Sequence, residues 1–154
     1  MLNEAANVER LVGDIAAQDF AGELEVIVAD GGSTDGSVER MKAAAERDGL
    51  SLVVLDNPAR LVATGLNRCI EHSRGSLLVR LDCKARYPRD YVRRCATASA
   101  ETGAWNVGGR VIPTGRSAVE RAFACAMDSP FGGISWARHN ASRDRVEVDT
   151  VYCG

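Results

Sequence analysis

The sequence predicts an α/β fold: a mainly parallel sheet with helices on both faces. Short apolar runs alternate with stretches of helical period. Those stretches are about 10–15 residues long, the length of a crossover helix in a βαβ unit. Gly, Asp and Ser cluster where the runs end. The chain has 154 residues, 45% hydrophobic and 26% charged, as expected of a globular protein with one sizeable core. Lys and Arg total 19 against 21 Asp and Glu, a net charge of −2. That balance argues against a nucleic-acid partner, which selects for a basic face.

The elements follow in order. Residues 5–18 put Val8, Leu11, Val12 and Ile15 at helical spacing. Residues 24–29 read as a strand, followed by a turn that ends at Gly36 and a helix over 36–48 closed by Gly49. A strand at 51–55, a loop through Pro58 and a helix over 62–73 come next. A third strand is expected at 76–81, and Pro88 suits the first turn of a helix reaching about 101. A strand near 105–112, a helix near 116–128, a glycine-rich loop and a strand at 146–152 complete the reading. The chain opens in a turn and closes inside an apparent element. It reads as one partial domain over residues 1–154, with the first strand and the C-terminal acceptor part outside it. The unpaired strand edge this leaves invites self-association.

No run approaches the roughly 20 apolar residues of a bilayer span, and Asn3, Glu4 and Asn7 interrupt the place of a signal sequence. Five cysteines, at 69, 83, 95, 125 and 153, form no CxxC pair. Neither a disulfide frame nor a zinc ribbon is indicated, and a reducing cytosol is the expected setting. Most are expected to be small buried apolar residues. His72 is expected on a helix surface and His139 in a polar loop, while Trp105 and Trp136 read as packing residues.

Each of the three leading strands ends in an acid: Asp30, Asp56 and Asp82. In a parallel sheet all three fall at one edge, and ligands of open α/β sheets bind outside the carboxyl ends of the strands. Glu4 joins them if a strand ends just before Met1. Helices begin at this edge too, and their N-termini favour phosphate. The arrangement suits a nucleotide with a divalent cation. Taken singly, Asp30 and Asp56 read equally well as turn and cap residues. The turn Gly31-Gly32-Ser33-Thr34-Asp35-Gly36 is not GxGxxG, and no GxxxxGK[ST] occurs.

Met1-Leu2-Asn3-Glu4, the stretch from Val26 to Ser37, Asn57 through Thr64-Gly65-Leu66-Asn67, and Leu81-Asp82-Cys83-Lys84 together resemble family 2 glycosyltransferases of GT-A fold. Asn106-Val-Gly-Gly-Arg110, Ser129-Pro-Phe-Gly132 and Val148-Asp-Thr-Val151 resemble the succinoglycan-type exopolysaccharide subgroup. The resemblance implies inverting transfer of a sugar from a nucleotide sugar, a UDP-sugar, to a glycan or lipid-linked acceptor. It implies a bacterial cytoplasmic protein, at the inner face of the cell membrane in its full-length form.

By the same resemblance Glu4, Asp30, Asn57, Asp82 and Lys84 line the nucleotide site, with Asp30 accepting the uracil N–H. Asp82, first acid of the family's Asp-x-Asp, is the ligand for Mg²⁺ or Mn²⁺, a hard cation that suits carboxylate and phosphate oxygen. Lys84 stands where the second acid belongs. A protonated lysine cannot ligate a cation, so Lys84 either neutralises diphosphate itself or points to solvent. The family's base lies in a Glu-Asp motif expected beyond Gly154, and Asp149 is only the nearest substitute. A second reading is a non-catalytic nucleotide-binding fragment that lacks this base.

Overall fold

The computed structural model describes residues 1–109, 112–127 and 129. The chain forms two compact units, Met1–Gly103 and Ala104–Gly154.

The first unit contains α1 (Val8–Ala16), β1 (Glu25–Asp30), α2 (Ser37–Arg47), β2 (Ser51–Asp56), α3 (Val62–His72) and α4 (Tyr91–Thr102). β1 and β2 pair in parallel, from Glu25 opposite Ser51 to Asp30 opposite Asp56. The expected α/β order and parallel pairing are present. α1 buries Val8, Leu11, Val12 and Ile15, one stripe at i, i+3, i+4 and i+7. α2 answers with Met41, Ala44 and Ala45, and the small alanines let the two helices approach closely. Val26 and Val28 of β1 and Leu52 of β2 pack beneath this pair. Val8, Val12 and Met41 are almost wholly buried, each worth about 1.5–3 kcal/mol of apolar transfer.

Side chains alternate along a strand, so Ile27 and Ala29 face the opposite way. α3 covers them: the Cys69 thiol donates to the Ile27 carbonyl at 3.8 Å, and Gly65 rests on Ala29. Helices therefore lie on both faces of the sheet. α4 is tied to the end of α1 by Gln18, which accepts from Val92 N–H at 3.0 Å and donates to Pro88 O at 2.9 Å.

The third expected strand does not form. Residues 76–82 lie in no ladder, and Leu77 and Leu78 are exposed. A strand exists only through its pairing, and the β1 edge opposite β2 is bonded at its carboxyl end to Met1. The Met1 ammonium donates to Ala29 O, and Gly31 N–H donates to Met1 O at 2.8 Å. Only Leu81 from this stretch reaches the α1–α2 core.

In the second unit α5 spans Ala118–Met127. Ser117 and Glu120 form a capping box. Glu120 N–H donates to Ser117 Oγ at 3.1 Å, and Ser117 N–H donates to Glu120 Oε2 at 3.0 Å. The strand expected near 105–112 is absent among its described residues, and Trp105, expected to pack, is fully exposed. The strand expected at 146–152, with His139 and Trp136, lies outside the described residues.

Gly65 gives a test of how tightly α3 sits on β1. A Cβ there meets Asn57 Nδ2 at 2.9 Å and Ala29 Cβ at 3.2 Å. Gly65→Ala gains helix propensity of roughly 1 kcal/mol, but overpacking of this kind costs about 1–3 kcal/mol. Thermal melts are expected to show a lower midpoint for the variant; a raised midpoint would mean α3 stands off the sheet.

Candidate functional site

The carboxyl ends of β1 and β2 carry the register pair Asp30 and Asp56. Asp30 is 7% exposed and its carboxylate is the hub of the following turn. Oδ2 accepts from Gly32 N–H at 3.0 Å and Ser33 N–H at 2.8 Å, and Oδ1 accepts from the Ser33 hydroxyl at 2.6 Å. Burial alone pushes this carboxyl up. The Ser33 hydroxyl, the two N–H groups and the nearby N-terminal ammonium outweigh it and hold the group below its ordinary value. Gly32 and Gly36 both have φ of +83°, which explains glycine at those two turn positions. Asp56 is exposed.

The turn is laced to the opening residues. Asn3 N–H donates to Ser33 Oγ at 2.9 Å, and Thr34 N–H donates to Asn3 Oδ1 at 3.0 Å. Glu4 N–H donates to Ser37 Oγ at 2.8 Å, and Ala5 N–H to Asp35 Oδ2 at 2.9 Å. Asp35 also accepts from Ser37 N–H at 3.0 Å, so it starts α2 where Gly36 offers no side chain. Two motifs some 30 residues apart thus form one structure, which brings Glu4 to the Asp30 turn.

Asn57 is buried and spoken for within the fold. Its amide donates to Leu61 O at 3.0 Å, its Oδ1 accepts from the Thr64 hydroxyl at 2.9 Å, and its N–H donates to Asp30 O at 2.7 Å. Asn57 fixes the β2–α3 loop rather than offering a bare side chain. That loop contains Arg60, a non-glycine residue at φ +56°. The Arg60 side chain lies against Gly31 and Gly32. Residues in this conformation persist where the surroundings impose it, as at ligand clamps.

Asp82 and Lys84 sit on a turn closed by Ala85 N–H to Asp82 O at 3.1 Å. Arg10 of α1 holds that turn by donating to Ala85 O at 2.6 Å and Cys83 O at 2.8 Å. Asp14 steadies its exit, pairing with Arg86 at 3.0 Å. The Asp82 carboxylate meets Arg80 at 3.2 Å, and Lys84 Nζ lies 3.6 Å from Glu4 Oε1. Cys83 is half-buried: burial, then the Glu4 charge, raise its thiol. Burial likewise raises Cys69 and Cys95. The described cysteines are free thiols; of them only Cys95 is fully buried and Cys125 is exposed, fewer buried than expected. His72 lies on the exposed face of α3, as expected, with Nδ1 3.2 Å from Arg68 O.

Residues 3 and 4 join the Asp30 turn to the 82–84 turn: Asn3 N–H donates to Ser33, Glu4 N–H donates to Ser37, and Glu4 Oε1 lies 3.6 Å from Lys84 Nζ. The donor set does not fit a divalent cation held by protein. Among the described residues no three His, Cys, Asp or Glu side chains converge on a metal position. Asp82 is matched by Arg80, and the position two residues on supplies an ammonium. Sequence reading missed Arg10, Asp14 and Arg60. The resemblance pointed to motif residues alone, and nothing local in the sequence ties Arg10 to carbonyls more than 70 positions away.

The geometry is that of an α/β domain whose parallel sheet ends in acids and whose turns are laced together at that edge. The family model described as Glycosyl transferase family 2 matches residues 1–143, and the chain belongs to that family. Its parallel sheet with helices on both faces accords with the GT-A fold, though the sheet is small. The chain is 35% identical over 133 residues to Succinoglycan biosynthesis protein ExoA of Rhizobium meliloti, covering 85% of this chain and 40% of that protein. It is 31% identical over 102 residues to Undecaprenyl-phosphate 4-deoxy-4-formamido-L-arabinose transferase of Pseudomonas paraeruginosa, covering 64% of this chain and 30% of that protein. The chain therefore spans well under half the length of these relatives. No solved structure matches it.

Ser33 tests the Asp30 hub. Ser33→Ala removes one charge-assisted bond and the acceptor for Asn3, a loss of about 1–3 kcal/mol at neutral pH. A carboxyl held below 3.8 stabilises the fold above its unfolded value and loses that contribution as pH falls through the lower folded value. Carboxyl NMR is expected to show Asp30 titrating below the usual range in the wild type and higher in Ser33→Ala. Coincident titrations would show that Ser33 does not hold the charge.

Proposed function

We propose that this domain binds the donor of a glycosyl transfer, a UDP-sugar, at the edge where Asp30, Glu4 and the Asp82–Lys84 turn gather. The transfer is inverting: an acceptor hydroxyl loses its proton to a base and attacks the anomeric carbon as the nucleoside diphosphate departs. The observation that carries the reading is the position of Asp30, ionised and buried at the carboxyl end of β1 in a chain of this family. Ligands of open parallel sheets bind at this edge. Oδ1 accepts one hydrogen bond and has capacity for a second, from the N–H of a uracil ring.

Glu4 and the Asp82–Lys84 turn then face the ribose and diphosphate, while Asn57 acts by holding the β2–α3 loop. The family's Glu-Asp motif has no match through Gly154, so the reading assigns the base to sequence beyond it, as relatives of greater length allow. The names of the relatives support a glycan or lipid-linked acceptor in polysaccharide synthesis; a cytoplasmic domain working at the inner face of the cell membrane is part of the proposal on the family resemblance alone. No described helix is long and apolar enough to cross a membrane.

Calorimetry with uridine and adenosine diphosphates tests the donor. The wild type is expected to prefer the uridine nucleotide, and Asp30→Ala to lose that preference with at least about tenfold weaker binding. Asp30→Asn retains the size of the side chain and guards against a collapsed turn. Equal binding of both nucleotides, unmoved by either substitution, would refute the uracil role.

A further inference from the structure

We propose that Lys84 does the work of a divalent cation at the diphosphate, while Arg80 neutralises Asp82, so that nucleotide binding by this chain does not require metal. The inference rests on the nucleotide-binding reading above. Asp82 and Lys84 share one turn, and Arg10 fixes its carbonyls. The carboxylate of Asp82 lies 3.2–3.3 Å from Arg80 nitrogens. A cation ligated by Asp82 must compete with that guanidinium, on a turn that also carries the Lys84 ammonium. Like charges repel, so both positive groups disfavour a further cation there. The Asp82 position is thus neutralised from within the chain.

Lys84 is suited to reach a phosphate. Its side chain is 81% exposed, and its ion pair with Glu4, at 3.6 Å, is longer than a hydrogen bond. Such exposed pairs are weak, and the four-carbon stem can turn the ammonium toward another anion. Glu4 stays in position without it. Its second oxygen accepts from Asn7 Nδ2 at 2.8 Å and its N–H is held by Ser37. A lysine ammonium is a compact point charge that neutralises phosphate oxygens directly.

The test uses calorimetry of the 154-residue chain with uridine diphosphate, in Mn²⁺ and in chelator. The wild-type dissociation constant is expected to differ by less than about threefold between the two buffers. Lys84→Ala removes an exposed side chain, so the fold is retained, and binding in chelator should weaken by about tenfold. Lys84→Asp should bind poorly in chelator and gain about tenfold or more with Mn²⁺. Separately, the electron paramagnetic resonance signal of Mn²⁺ alone should be unchanged by wild type and reduced by Lys84→Asp. Wild-type binding that appears only with Mn²⁺ overturns this inference and leaves the nucleotide site standing. The same metal response in wild type and Lys84→Asp overturns it too, and absence of binding in both buffers overturns both readings.

Discussion

The buried carboxylate of Asp30 is the constraint on which the rest of this edge depends. A charge at that depth imposes a demand for a hydrogen-bond donor on each oxygen. The chain meets it locally, by turning at once so that Gly32 and Ser33 present two N–H groups and a hydroxyl. The turn in turn offers Ser33, Thr34, Asp35 and Ser37 to residues 3–5, which pins Glu4 in place. Glu4 meets Lys84, and Arg10 locks the turn that carries Lys84. One ionised group thereby organises segments from three parts of the chain.

The hydrophobic core and this polar web are complementary. α1 contributes Val8, Leu11, Val12 and Ile15 to the core, and from its other side sends Arg10 and Asp14 to the 82–87 segment. Packing α1 on α2 therefore also sets the position of Asp82 and Lys84. α3 does the same on the opposite face of the sheet, where Gly65 allows Asn57 to sit against both the helix and the end of β1. Each helix that covers the sheet also delivers a loop to its carboxyl edge.

Much of this was legible in the sequence because it is periodic. The stripe of α1, the apolar runs of β1 and β2 and the glycine stop of α2 each follow from local spacing. The expected strand at 76–82 was not so secured. Its apolar run satisfies strand propensity, but pairing is a tertiary property, and the adjacent β1 edge is bonded to Met1. Trp105 shows the same limit, since size and apolarity predict burial only where a partner surface exists. The acids of the site were legible from the strand ends and Lys84 from the family pattern. The hydrogen bonds of Asn57 within the loop and the left-handed Arg60 were not, because they depend on where the β2–α3 loop meets β1.

The central claim is that the laced edge formed by Glu4, the Asp30 turn, the Asn57–Arg60 loop and the Asp82–Lys84 turn is one binding surface. Amide chemical-shift mapping during titration with uridine diphosphate tests it most directly. The account predicts that the largest shifts fall on residues 3–5, 30–34, 57–60 and 82–85, and move together with a single dissociation constant. Shifts confined to one of these segments, or centred on α5, would contradict it.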